Sequence, residues 1–471
     1  MQTYRLVRDI PVDREYDLVV AGGGPGGTAA AVCAARLGAK VLLVEATGCL
    51  GGMGTSGLVT SFDPMADGEK MLVGGFMREV VETMYERGFI PARISPDRWR
   101  RAYHQWTPFH PEGLKLLLDE LAQKAGVEVR FFSRVIDADV DRNSKRVNGV
   151  IVQNVEGYRY VPAKTFVDAT GDAVLADLCG AECREAARDT EKIMPATLCA
   201  LFAGIDWSRV EFESDPLNPI CGIGPKDLQP KVEDAIERGG YFTQPDRQMP
   251  AIESIGKSLG YSNSGHVFRT NSLRVDSLTN GMILGRKIVQ EYARFYRDYV
   301  AGFENLELVT TASLLGVRES RRIVGEYELN FEDYLARRQF PDQIGVFNKY
   351  VDIHLYDCTD DEFMNYLEEF TNSRLGVGEC HGIPYSILVP KGWANLWVAG
   401  RCNSSDVKVH GAIRVQPAAA MMGQAVGTAA VQSIATGQPA CDLDTQRLVE
   451  TLREAGAYLP QEKLSRHMTR Q

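Results

Sequence analysis

Gly22, Gly24 and Gly27 stand in the spacing G-x-G-x-x-G, directly after the apolar run Tyr16 to Ala21 and before the Ala-rich stretch Thr28 to Leu37, with Gly26 in the same turn. Between a strand and a helix, this spacing suits a diphosphate. The first glycine permits the tight turn, the second lets backbone N–H groups approach phosphate oxygens, and the third lets the helix pack close on the strand. The helix N-terminus adds its partial positive charge. Glu45 closes the next apolar run, Lys40 to Glu45. It lies at the separation expected of a carboxylate that accepts the ribose hydroxyls, and its charge repels a 2′-phosphate. A lone glycine motif also occurs in turns without chemistry, but here strand, helix and acid are in register.

NAD and FAD both fit that first unit, and the rest of the chain separates them. A nicotinamide-binding fold continues in regular αβ units until its parallel sheet is complete. This chain instead enters Leu50-Gly-Gly-Met-Gly-Thr-Ser-Gly57, then alternating β-branched runs between Val127 and Asp168. Glycine-bearing strand ends return at Asp168-Ala-Thr-Gly-Asp172 and, more than two hundred residues later, at Val398-Ala-Gly400. Three separated strand ends converging on one ligand fit an elongated dinucleotide, and FAD is the expected cofactor.

These segments carry a family resemblance. Val19-Val-Ala-Gly-Gly-Gly-Pro-Gly-Gly27, Cys49-Leu-Gly-Gly-Met53, Val167-Asp-Ala-Thr-Gly-Asp172, Gly316-Val-Arg-Glu-Ser-Arg-Arg322, Val398-Ala-Gly-Arg-Cys402 and His410-Gly-Ala-Ile-Arg-Val-Gln-Pro417 resemble the FAD-dependent oxidoreductases of the glutathione-reductase-2 structural class, most closely a bacterial family of that name. The resemblance runs from about residue 15 to 438 and is specific at its two ends. It implies that the ADP half of FAD sits on Gly22, Gly24, Gly26, Gly27 and Glu45, with the Val135 backbone at the adenine. It places Ala169, Thr170, Gly171 and Asp172 near the pyrophosphate or ribityl chain, Gly51, Gly52, Met53 and Thr55 beneath the flavin ring, and Gly400 and Arg401 in the same site. Pro417 suits the first turn of a helix, where its missing N–H has no partner to lose. The resemblance turns the start of that helix, with Met422 and Gly423, toward the flavin, where its dipole would stabilise developing negative charge.

Proton transfer must accompany any two-electron chemistry on a C–OH or C=C bond, and histidine is suited to it near neutral pH. His410 and His381 lie in glycine-flanked segments beside the flavin-binding pieces, against the common alternative of a hydrogen-bonded structural histidine. Arg414 offers a fixed positive charge to the flavin or to an anionic substrate group, or is a surface residue. The run Arg318-Glu-Ser-Arg321-Arg322 is a solvated helix face or delivers Arg318 or Arg321 to the active site. The expected catalytic set is His410, Arg414, Arg321 and His381. The ten cysteines include no C-x-x-C pair, so structural thiols are expected, with no metal site and no dithiol relay.

The elements that position these residues form an α/β fold. A Rossmann-like FAD-binding domain, a parallel sheet with a β meander, carries an inserted α+β substrate domain. The division runs 1–188 and 376–440 for the FAD domain, 189–375 for the insertion and 441–471 for a C-terminal helical segment. Val73 to Phe89 and Pro111 to Ala125 read as amphipathic helices. The net charge of -10 excludes a basic nucleic-acid-binding face, and no apolar run reaches the roughly 18 residues a membrane span needs. A cytoplasmic protein follows. Its partners are a small-molecule substrate and an electron acceptor or donor, with a homo-oligomer left open. The reading is two-electron hydride transfer between FAD and a small organic molecule. A flavin monooxygenase and a non-catalytic redox sensor are the alternatives.

Overall fold

Tyr16 to Ala21 contains almost only apolar side chains, as a strand covered on both faces requires. In the computed structural model, which describes residues 3–101, 106–188, 192–211, 222–248, 250–372 and 374–460, this stretch is the central strand Tyr16–Ala21. It pairs in parallel with Val41–Val44, Leu18 opposite Val41, and with the end of the long strand Gly157–Asp168, Ala21 opposite Asp168. Glu128–Arg130 extends the sheet beyond Val41–Val44, and Leu396–Val398 runs parallel to the last residues of Gly157–Asp168. The first half of Gly157–Asp168 pairs antiparallel with Arg146–Asn154, and that strand with Arg134–Asp141. One long strand therefore joins the meander to the parallel sheet, the α/β fold expected.

Two helices cover the sheet where the site lies. Pro25–Arg36 follows the glycine turn, and Gln416–Thr436 packs across it. Their backbones touch. A Cβ at Gly423 would stand 2.0 Å from Gly26 O, and one at Gly427 would stand 2.3 Å from Ala30 O. The long helix begins one residue before Pro417, which takes its second position and still needs no N–H partner there.

A second layer carries its own core. Strands Gly222–Ile223, Ile252–Ser254, Gly260–Ser262, Ala200–Ala203 and Glu307–Thr311 form an antiparallel sheet in that order. Helix Val275–Tyr299 backs it, its aromatic face of Tyr292, Phe295 and Tyr296 buried in a cluster that runs from Ala196 to Leu315 and includes Leu58. Buried side chains from Leu329 to Leu375 instead join the core under the parallel sheet, beside Val73 and Trp397. The charged run 318–322 forms no helix: Arg321–Ile323 is a strand paired with Cys183–Glu185.

The expected helices are Gly75–Glu86 and Pro111–Ala125, and near the C-terminus Thr445–Glu454 buries Leu448 and Leu452. Residues 461–471, His104 and Cys221 lie outside the described residues. The nine described cysteines are free. Burial pushes the thiols of Cys33, Cys179, Cys183 and Cys199 up to about 12. Among the described residues no helix is long and apolar enough to cross a membrane.

Candidate functional site

The glycine turn is shaped by contacts a side chain would forbid. Gly22 has φ +96, and a Cβ there would stand 2.5 Å from Ala169 O. A Cβ at Gly27 would stand 1.8 Å from Gly22 O, whereas one at Gly24 would meet nothing closer than 4.0 Å. Gly24 is thus the open position of the turn. It caps helix Pro25–Arg36 without a side-chain hydrogen bond, leaving the first-turn N–H groups to face the cavity beside it.

Glu45 is buried behind this turn. Its Oε2 accepts from Gly23 N at 2.6 Å, and its Oε1 accepts from Thr47 N at 2.7 Å and Thr47 Oγ1 at 2.8 Å. The Thr47 hydroxyl has a second acceptor, Cys49 O at 3.1 Å. One of the carboxylate's roughly four lone-pair sites is therefore left for a ribose hydroxyl, and a second opens when the Thr47 hydroxyl turns to Cys49 O. Thr47, Ser133, Arg134, Val135 and Ile136 line the same end of the cavity.

Arg401, just past the last of the three strand ends, binds the middle one and Val317. Its Nε donates to Gly171 O at 2.9 Å, Nη2 to Asp172 Oδ1 at 2.5 Å, and Nη1 to Val317 O. Asp168 fixes the middle turn from below, accepting from Thr170 N at 3.0 Å, Thr170 Oγ1 at 2.7 Å and Ala176 N at 2.9 Å. Ala169, Thr170, Gly171, Asp172, Gly400 and Arg401 all line the cavity, as do Gly52 and Met53. So do Val415, Gln416 and Ala419, at the start of a second helix that has no side-chain cap. Two uncapped helix N-termini and a diol-sized carboxylate on one cavity of about 1180 Å³ fit FAD, whose diphosphate and reduced ring both carry negative charge.

Beyond Gln416 the wall becomes polar. Lys349 is buried and hydrogen-bonded to Asp63, and although burial works against its charge, Asp63 holds its pKa above the usual lysine value. Arg414 Nη2 donates to Asp352 Oδ2 at 3.0 Å and to Asp352 O at 3.1 Å. His354 Nε2 lies 3.3 Å from Asp352 Oδ1, and His354 Nδ1 is hydrogen-bonded to His266 Nε2 at 2.7 Å. His266 Nδ1 lies 2.9 Å from Asp246 Oδ2. Burial works to raise the pKa of Asp352, but His354 and Arg414 hold it well below the carboxylate range. Burial, with Arg318 nearby, keeps His354 well below the usual imidazole value, and burial lowers His266 as well. Two neutral imidazoles between two carboxylates have two ring protons for three contacts. The row is one proton short.

Glu253 lies on the same wall, opposite Tyr261 in the antiparallel sheet. Burial first, then Asp63, pushes its carboxyl up to about 8, and among the described residues its Oε2 has no hydrogen-bond partner.

Several residues expected at the site lie elsewhere. His410 is fully buried in helix Val407–Ile413 and does not line the cavity; its Nε2 bonds to Arg401 O at 2.8 Å. His381 is buried against Tyr334, its Nδ1 3.2 Å from Gly382 O, and burial lowers it to about 4. Arg321 pairs with Asp177 at 3.0 Å and Glu185 at 3.6 Å, because its strand turns it away from the cavity that Arg318 lines. Gly27, Gly51, Thr55, Pro417, Met422 and Gly423 shape the turns and the helix crossing without lining the cavity. Of the expected catalytic set, Arg414 alone reaches it. Asp63, Glu253, Lys349, Asp352 and His354 were missed. They come from polar stretches without a motif, and only the short spacing Asp352-x-His354 hinted at a pair.

A family model described as FAD dependent oxidoreductase matches residues 17–452. The chain is 56% identical over 45 residues to a dihydrolipoyl dehydrogenase of Trypanosoma brucei brucei, 10% of this chain and 9% of that protein. It is 36% identical over 92 residues to a soluble pyridine nucleotide transhydrogenase of Mycobacterium bovis (strain BCG / Pasteur 1173P2), 19% of each. The chain therefore spans less than a fifth of the length of these curated relatives. Among solved structures, the myxobacterial chondrochloren halogenase CndH is 15% identical with a TM-score of 0.46, over 94% of this chain and 79% of that one.

Proposed function

The chain belongs to the family of FAD-dependent oxidoreductases, and from that premise we propose that it oxidises a C–OH or C–NH bond of a small organic molecule. The observation that supports this is one cavity running from the diol-sized carboxylate of Glu45 to a buried row one proton short, Asp246–His266–His354–Asp352. Gly22, Gly24, Gly26 and Glu45 hold the ADP half, with Val135 at the adenine. Gly171, Asp172, Gly400 and Arg401 border the diphosphate and ribityl chain. Gly52, Met53 and the start of Gln416–Thr436 border the ring. FAD, when bound, accepts two electrons as a hydride.

The remaining chemistry falls to side chains. Substrate carbon loses the hydride, the neighbouring O–H or N–H loses its proton, and the bond between them becomes double. His354, neutral and on the cavity wall, takes that proton at Nε2, the nitrogen on the longer contact to Asp352, and Asp352 and His266 hold the ring and share the charge. Residues 189–375 supply the wall, with Lys349 and Asp63 neutralising each other beside it.

The test is an anaerobic screen of alcohols and amines for bleaching of the yellow flavin band, followed by His354→Gln. With any substrate found, the variant should keep its flavin and lose roughly 10²- to 10⁴-fold in the reduction rate constant. An unchanged rate constant would remove His354 from the reaction. Fast reoxidation by O₂ with hydroxylated product would favour a monooxygenase, and flavin that no small molecule reduces would favour a sensor.

A further inference from the structure

Arg318 is 5% exposed, yet it lines the cavity. Its Nη1 donates to two neutral acceptors, Pro195 O at 2.8 Å and Thr197 Oγ1 at 2.9 Å, and among the described residues no carboxylate lies within ion-pair distance of it. Three other cations of the wall are neutralised. Lys349 has Asp63, Arg401 has Asp172 at 2.5 Å, and Arg414 has Asp352 at 3.0 Å. Arg414 and Asp352 are both near enough to bias Arg318, but they pair with each other, and the second Asp352 oxygen faces His354.

A buried guanidinium without a counter-ion is strongly destabilising, a cost that a ligand's negative charge can offset. The fork of Nε and Nη2 remains for that ligand and matches a carboxylate in geometry. The surroundings set the charge the site tolerates. Leu314, Leu315, Val317, Ala251 and Tyr261 line the cavity nearby and offer no second cation. Glu253, uncharged at neutral pH because burial lifts it to about 8, is no competing counter-ion. One guanidinium without a counter-ion, with the neighbouring Arg414 already paired to Asp352, suits a monoanion better than a phosphate dianion.

We infer that Arg318 is the substrate-anchoring residue and that the substrate is a small organic acid, its carboxylate on the Arg318 fork and its oxidisable carbon within the same cavity. This rests on the FAD-dependent oxidation proposed above. Sequence spacing had offered Arg414 for the anion, but Asp352 already occupies that guanidinium.

The test titrates the FAD-loaded chain with benzoate, lactate and succinate, against the neutral amides benzamide and lactamide, reading the shift of the flavin band. Benzoate or lactate should perturb the band saturably, and its amide should not. Arg318→Met should weaken that carboxylate by about 100-fold with flavin content unchanged, and Arg318→Lys by less, since Lys keeps the charge and loses the fork. Should Arg318→Met fail to fold, Thr197→Val removes one anchor of the guanidinium and should weaken binding about 10-fold. No carboxylate binding to the wild-type holoenzyme, unchanged binding in the variants, or tighter binding of inorganic phosphate would overturn the assignment. Failure of the chain to take up FAD is seen as a colourless sample before any acid is added and counts against the earlier reading. The thermal-midpoint shift given by benzoate then still reads the Arg318 site.

Discussion

At the scale of single residues, environment sets what each carboxyl in the cavity does. Glu45 receives three donors, whereas Glu253 has an oxygen with no partner and a pKa raised by burial from 4.5 to about 8. Between those two values the folded chain holds a proton that the unfolded chain has released, so stability falls as pH rises through that window. Glu253→Gln removes the ionisable group while keeping the shape, and its stability advantage over the wild type should grow from about pH 5 to about pH 8, at up to about 1.4 kcal/mol per pH unit. Parallel stability curves would show that Glu253 ionises freely when folded. Glu45 was legible because the dinucleotide unit fixes its place by local spacing. His266 and His354 were not, since they meet across 88 residues of chain and neither neighbourhood repeats a pattern. His410 misled because glycines beside a histidine say nothing of which way a helix turns the ring.

Among elements, the decisive contact is the crossing of Pro25–Arg36 by Gln416–Thr436. Gly423 meets Gly26 O, so the long helix sets the position of the glycine turn as well as covering the sheet. A methyl group there has no flexible neighbour to displace, and overpacking of this kind costs about 1 to 3 kcal/mol. Gly423→Ala should therefore lower the thermal midpoint and FAD affinity together. Gly437→Ala, at φ +71 with nothing within 4 Å, should cost about 1 kcal/mol and leave FAD affinity unchanged. Equal FAD affinity in both variants would detach the helix crossing from the turn. The βαβ unit, the meander and both helices were readable from apolar period and glycine position. The run 318–322 was not, because strand pairing with Cys183–Glu185 overrides a charge pattern that suits a helix equally well.

On the scale of the whole molecule, the cavity is walled by residues from three separate cores. Glycine turns line the parallel-sheet side, where we propose the dinucleotide binds, and the antiparallel sheet presents Glu253 and Tyr261. The cofactor half of this arrangement is encoded in short motifs, so it could be read in sequence. The substrate half depends on tertiary packing of polar loops, so it could not. Everything proposed for the wall presupposes that FAD reaches it from the Glu45 end. Titration of the purified chain with FAD, in the wild type and in Glu45→Arg, tests this directly through flavin absorbance and fluorescence quenching. One tightly held flavin per chain in the wild type, and affinity reduced at least about 100-fold by the opposite charge at the ribose, is the predicted result. A wild-type chain that stays colourless, or a variant that binds FAD equally well, would contradict it.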